Sequence, residues 1–177
     1  MDNCEVYEGA LAAAGIFERI TDCGKNEYAA LRDDCTKLAS ALKEKINTEL
    51  WRPVGGYYSP GITAYVSIPA KIFSWDLYYP QATSQLFPII CGVIEPNTQR
   101  AQSLYDKFCE SYNWQNFEYP DDFYWGANAY AAAIMGDAER VTEYMTNYAE
   151  LTDDHAWPLY NADIARASMA ACVMLGR

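Results

Sequence analysis

The feature that most constrains the fold is an alternation along the chain between segments that are apolar nearly all round and segments that are apolar on one side only. Four segments lack a polar face: Val6 to Ile20, Pro80 to Ile94, Phe123 to Met135 and Ala162 to Leu175. A helix of that kind needs cover on every side. Between them lie three one-sided stripes at helical spacing. Leu31, Cys35, Leu38, Leu42 and Ile46 form the first; Ala101, Leu104, Tyr105, Phe108 and Tyr112 the second; Val141, Tyr144, Met145 and Tyr148 the third. The first predicts an amphipathic helix ending near Trp51. The second is preceded by Asn97 and Thr98, either of which can cap it, and the third by Gly136-Asp137. Such an order predicts inner and outer helices of stacked helical hairpins. Alanine runs at 12–14 and 131–133 let neighbouring backbones approach closely, and Pro88 is expected to kink the second apolar segment.

A degenerate repeat supports the hairpin reading. Tyr7-Glu8-Gly9-Ala10, Tyr79-Pro80-Gln81-Ala82 and Tyr124-Trp125-Gly126-Ala127 each open an apolar segment, and Tyr160-Asn161-Ala162-Asp163 fits loosely. Their unequal separations exclude a regular solenoid. The insertion from Arg52 to Trp75 carries Gly55-Gly56, Pro60-Gly61 and Pro69 around β-prone Tyr57-Tyr58 and Ile62 to Ile68, which predicts one irregular β-hairpin. The whole of 1–177 is expected to be a single domain that is all-α apart from that hairpin.

Charge narrows the partners. With 13 Lys plus Arg against 24 Asp plus Glu, the net charge of −11 opposes the phosphate contacts of nucleic acids and anionic membranes, but repels no neutral sugar. No apolar stretch approaches the roughly 18 residues that span a bilayer. The six cysteines, at 4, 23, 35, 91, 109 and 172, contain no C-x-x-C pair and match no zinc framework, so most are expected to be buried free thiols, with disulfides left open by the even count. The single histidine, His155, has no nucleophile signature beside it and is expected to be an exposed loop residue. No phosphate-cradling glycine motif is present, and no cofactor is expected.

Carboxylates and aromatics instead gather at the starts of the apolar segments: Asp2, Glu5 and Tyr7; Trp75, Asp76, Tyr78, Tyr79 and Gln81; Asp121, Asp122, Tyr124 and Trp125; Trp157, Tyr160, Asn161 and Asp163. Each Asp also suits helix capping, and each ring suits a core. If the apolar helices run parallel, all four sets emerge at one end and line one cleft. A carboxylate pair and flat ring faces are what glycoside hydrolysis and sugar stacking require.

The stretches Asp2-Asn3-Cys4-Glu5-Val6-Tyr7-Glu8-Gly9, Trp75-Asp76-Leu77-Tyr78-Tyr79-Pro80-Gln81-Ala82-Thr83-Ser84-Gln85-Leu86-Phe87-Pro88 and Asp121-Asp122-Phe123-Tyr124-Trp125-Gly126 resemble segments of bacterial six-hairpin glycosidase-like proteins. That resemblance implies part of an (α/α)6 toroid, three hairpins and a last inner helix, with the active site at the N-terminal ends of the inner helices. It also implies that a native N-terminal part precedes Met1. On this reading the domain is carbohydrate-active and hydrolytic in full-length form. Its catalytic carboxylates come from Asp2, Asp76 and Asp122, and Glu5, Tyr79, Gln81, Tyr124, Trp125, Trp157, Tyr160 and Asp163 hold substrate. The alternative is a non-catalytic helical module that binds a saccharide or a protein through the same aromatic cleft. A zinc-dependent toroid enzyme fits poorly, given one histidine. A cut toroid would leave the helix Val6 to Ile20 without a neighbour on one side, favouring self-association.

Overall fold

The computed structural model describes residues 1–60, 73–154 and 158–176, and within them the chain is mostly helical with one two-stranded antiparallel hairpin. Helix α1 (Asp2–Asp22) and helix α2 (Ala29–Lys45) fold back on each other through a short connection and pack along their length. A wide helical turn, Ile46–Leu50, carries α2 onward to strand β1 (Trp51–Arg52), which pairs with β2 (Tyr57–Tyr58) in the register Trp51 to Tyr58 and Arg52 to Tyr57. Gly56, at φ +66°, takes the left-handed turn position that glycine adopts without steric cost. The hairpin thus begins one residue before the expected insertion. Its second strand uses Tyr57-Tyr58, while the expected strand over Ile62 to Ile68 lies outside the described residues.

Gln85 ties this hairpin to the core. Its side-chain oxygen accepts the Tyr58 N–H at 2.7 Å and its side-chain nitrogen donates to the Tyr58 carbonyl at 2.9 Å. Arg100 clamps the other side, donating to Asn47 Oδ1 at 2.8 Å and to the Tyr58 hydroxyl at 3.0 Å, with its guanidinium over the Trp51 ring.

The segment expected as one helix from Pro80 to Ile94 is instead three short pieces: a wide turn at Tyr78–Ala82, a tight turn at Thr83–Gln85 and helix α3 (Phe87–Ile90). Pro88 sits in the first turn of α3, where its missing N–H is harmless, so it helps to start a helix rather than kink one. The burial expectation does hold, because every residue from Gln81 to Cys91 is buried. Helix α4 (Gln99–Ser111) buries Ala101, Leu104, Tyr105 and Phe108, and Thr98 caps it by accepting the Ala101 N–H. Helix α5 (Gly126–Met135) ends at Gly136, φ +80°, and Asp137 at once caps helix α6 (Ala138–Leu151) through the Arg140 N–H. No described residue from Phe123 to Met135 is fully exposed, whereas α6 buries only Val141 and Tyr144. Helix α7 (Asn161–Met174) packs against α5.

Two expectations are corrected. Helix α1 exposes Val6, Leu11 and Ile16, the uncovered apolar surface expected of it, whereas α7, expected to be covered on every side, exposes Ile164, Val173 and Met174. Beyond their main neighbours, α2 for α1 and α5 for α7, the two helices meet each other through the Arg166–Glu8 pair at 3.3 Å and leave the rest of their apolar surface uncovered. Leu31 and Leu38 of the first stripe are exposed too, whereas Ala39 and Ile46 are buried and Leu42 packs against the core. All six cysteines are free, but only Cys4 and Cys91 are buried, and Cys23 and Cys172 are exposed. Burial pushes the Cys4 thiol up to about 11.

Candidate functional site

The starts of α1, of the Tyr78–Ala82 turn, of α5 and of α7 meet at one end of the domain. Two adjoining clefts open there and share Met1 and Tyr79 as a common wall. The first, about 430 Å³, runs between α1 and the hairpin, with Asp2, Ile46, Leu50, Tyr58, Ser84 and Pro88 around it. The second, about 550 Å³, runs between α5 and α7, with Asp121, Phe123, Trp125, Tyr160, Asn161 and Asp163 around it.

The second cleft is built from the α5–α7 contact upward. Trp125 precedes α5 in the left-handed region at φ +49°, an unusual backbone for a bulky residue. That conformation turns the chain so that Gly126 meets α7 backbone to backbone: a Cβ at 126 would strike the Asp163 carbonyl. Close approach brings the Gly126 N–H to Asp163 Oδ1 at 3.0 Å. Burial raises the Asp163 carboxyl above its ordinary value; the Gly126, Tyr160 and Trp125 N–H groups pull it down without prevailing, and Asp121 adds a like charge that pushes it further up. Asp121 accepts the Phe123 N–H at 2.9 Å, an Asx-type turn that sets its side chain. Tyr79 packs on Trp125 with ring centres 5.3 Å apart, and Phe123 packs on Tyr160 at 5.0 Å. These two ring pairs form the walls. Behind them Tyr78, buried, stacks on Tyr119 at 4.5 Å and accepts from Asn128 Nδ2 at 2.8 Å.

The expected site residues divide. Asp2 lines the first cleft, Tyr79 both, and Trp125, Tyr160 and Asp163 the second. Glu5 is exposed on the first turn of α1 and lines neither. Asp76 is exposed on the turn before Tyr78, bonded to the Ser74 hydroxyl at 3.2 Å, outside both clefts. Asp122 is exposed and lines a further groove with Pro120 and Pro158, which adjoins the second cleft through Asp121 and Phe123. Gln81 is buried, with its side-chain oxygen accepting the Ser74 N–H at 2.7 Å. Tyr124 turns away from the cleft, its hydroxyl towards the Leu151 carbonyl and its ring against Phe117 and Tyr148. Trp157 and His155 lie outside the described residues.

Asp121 rather than its neighbour Asp122, together with Phe123 and Tyr58, came to light only through the fold. The Asp121-Asp122 pair was visible in the sequence, but not which of the two faces inward. Among the described residues, no group of three or more His, Cys, Asp or Glu is placed to hold a metal, and no helix is long and apolar enough to cross a membrane. No known protein family, characterised protein or solved structure matches the chain significantly.

Proposed function

We propose that this chain is part of a carbohydrate-active (α/α)6 toroid, and that the paired clefts at the starts of its inner segments bind a saccharide. One observation carries the reading: four segment starts, far apart in sequence, meet around a single aromatic-walled opening that also carries carboxylates. Exposed Tyr79 and Tyr160 offer ring faces to sugar C–H surfaces, and the carboxylates accept sugar hydroxyls. The order α1, α3, α5, α7 of neighbouring apolar segments, with α2, α4 and α6 outside them, suits a portion of such a toroid.

Hydrolysis in the full-length protein is the second reading, favoured by Asp163. A general acid needs a pKa raised above that of a free carboxyl, and burial in the cleft shifts Asp163 in that direction. Asp2, across the shared Met1–Tyr79 wall, is the candidate second carboxylate. Asp76 and Asp122 stay on the surface in this reading. A glycan panel tests both. Binding of at least one oligosaccharide that weakens about tenfold in Tyr79→Ala and Trp125→Ala supports recognition. Release of new reducing ends that Asp163→Asn abolishes and Asp76→Asn spares supports hydrolysis. A panel on which nothing binds removes both.

A further inference from the structure

We infer that the cleft between α5 and α7 selects an amino sugar with a free ammonium, which sits between Asp121 and Asp163 and against the rings of Trp125 and Tyr160. The inference rests on the saccharide reading of the same cleft and names its ligand class.

Three features of the lining carry it. First, two ring pairs, Tyr79 with Trp125 and Phe123 with Tyr160, wall a single opening, so a ligand there meets aromatic faces on two sides. Ring faces carry negative charge density and attract an ammonium as well as sugar C–H groups. Second, both charged side chains of the lining are carboxylates, and among the described residues no Lys or Arg side chain lines the cleft. The nearest basic residue on α7, Arg166, pairs instead with Glu8 of α1 at 3.3 Å. Third, Asp163 is already held in an environment that disfavours its charge, with burial and Asp121 acting in the same direction.

A neutral sugar closing over the cleft would desolvate these carboxylates further without compensating them, and burying uncompensated charge is costly. A uronic acid would add a third negative charge. An ammonium in the same position satisfies both acids and the rings together. Acetylating the amine removes the charge while keeping the ring, so the free amine and the N-acetyl form separate the electrostatic part from the stacking part.

The test uses three trisaccharides of one backbone: cellotriose, the trisaccharide of chitin, and the same trisaccharide deacetylated. Binding to the whole chain is followed by calorimetry at low and high salt. The deacetylated form is expected to bind about tenfold more tightly than cellotriose at low salt, and salt should erode that advantage. Asp121→Asn and Asp163→Asn should each remove most of the advantage, so that within either variant the deacetylated form binds no more tightly than cellotriose, while Asn keeps an acceptor for the Phe123 and Gly126 N–H groups. Asp106→Asn on α4 makes the same change in net charge at a site remote from the lining and should leave the advantage intact. Equal affinity for cellotriose and the deacetylated form overturns the ammonium inference and leaves the saccharide reading standing. So does an Asp106→Asn effect as large as that of Asp121→Asn. Failure of all three sugars to bind overturns both.

Discussion

Asp163 joins structure and chemistry at the scale of a single residue, and its titration gives a direct test. Its folded pKa lies above the ordinary 3.8 because burial disfavours the anion. Between the unfolded and folded values the folded chain therefore binds more protons than the unfolded one, so Asp163 lowers stability as pH rises through that window. Asp163→Asn removes the titration and retains an acceptor for the Gly126 N–H. Urea unfolding from about pH 3.5 to 7 should show the wild type losing ground to the variant as pH rises, with the difference levelling above the folded pKa. A difference that stays flat, or that moves in the wild type's favour, would contradict the burial of this carboxyl. Asp137 has the opposite sign. Burial pushes it up, but the Arg140 side chain and N–H and the Tyr105 hydroxyl hold it below 3.8, so its contribution is present at neutral pH and is lost as pH falls through its folded value.

At the scale of elements, the caps were the most legible part of the sequence. Thr98 and Asp137 stand immediately before periodic apolar stripes; the sequence offers Asn97 or Thr98 as the cap of α4, and the fold chooses Thr98 and shows Asp137 capping α6. Asp137→Ala should cost about 1–2 kcal/mol in chemical unfolding, since it uncaps α6 and leaves the buried Tyr105 hydroxyl without its 2.8 Å partner. The Pro80 to Ile94 stretch was legible as core but not as shape. Apolar content fixes burial, whereas its breaks depend on tertiary bonds such as that of Gln85 with Tyr58, which no local pattern encodes. The candidate site was legible as a convergence of segment starts. Its inward-facing members were not, because the left-handed turn at Trp125 and the Asx-type turn at Asp121 decide which side chains point into the cleft. Gly126→Ala tests that geometry. The added Cβ meets the α7 backbone at Asp163, so α7 must shift or α5 must bend, at a cost of about 1–3 kcal/mol. The same change should weaken ligand binding at the α5–α7 cleft. A variant with unchanged midpoint and unchanged binding would show that the two helices are not in contact there.

For the molecule as a whole, the exposed apolar surface of α1 and α7 decides how the chain behaves at high concentration. Ile16 on α1 is 58% exposed and Val6 50%, and α7 presents Ile164, Val173 and Met174 to solvent. Spaced five residues apart, Val6, Leu11 and Ile16 spread around α1 rather than forming one stripe, and it is the amount of apolar surface left in water on α1 and α7 together that favours association. Opposing this is the net charge of −11, which makes two copies repel at a distance. The two terms respond differently to salt. Screening weakens the repulsion and leaves the apolar contact in place, so sedimentation should show a concentration-dependent increase in mass that grows as salt is raised. Ile16→Lys should reduce that increase, because it puts a charge at the most exposed of the large apolar residues of α1 while lysine keeps good helix propensity and the site has no buried neighbours to disturb. Unfolding midpoints of the variant should match the wild type in dilute solution, which separates lost association from lost folding. A wild-type chain that stays monomeric at every concentration and salt, or an Ile16→Lys chain that associates just as strongly, would show that the exposed apolar residues of α1 do not form a contact surface.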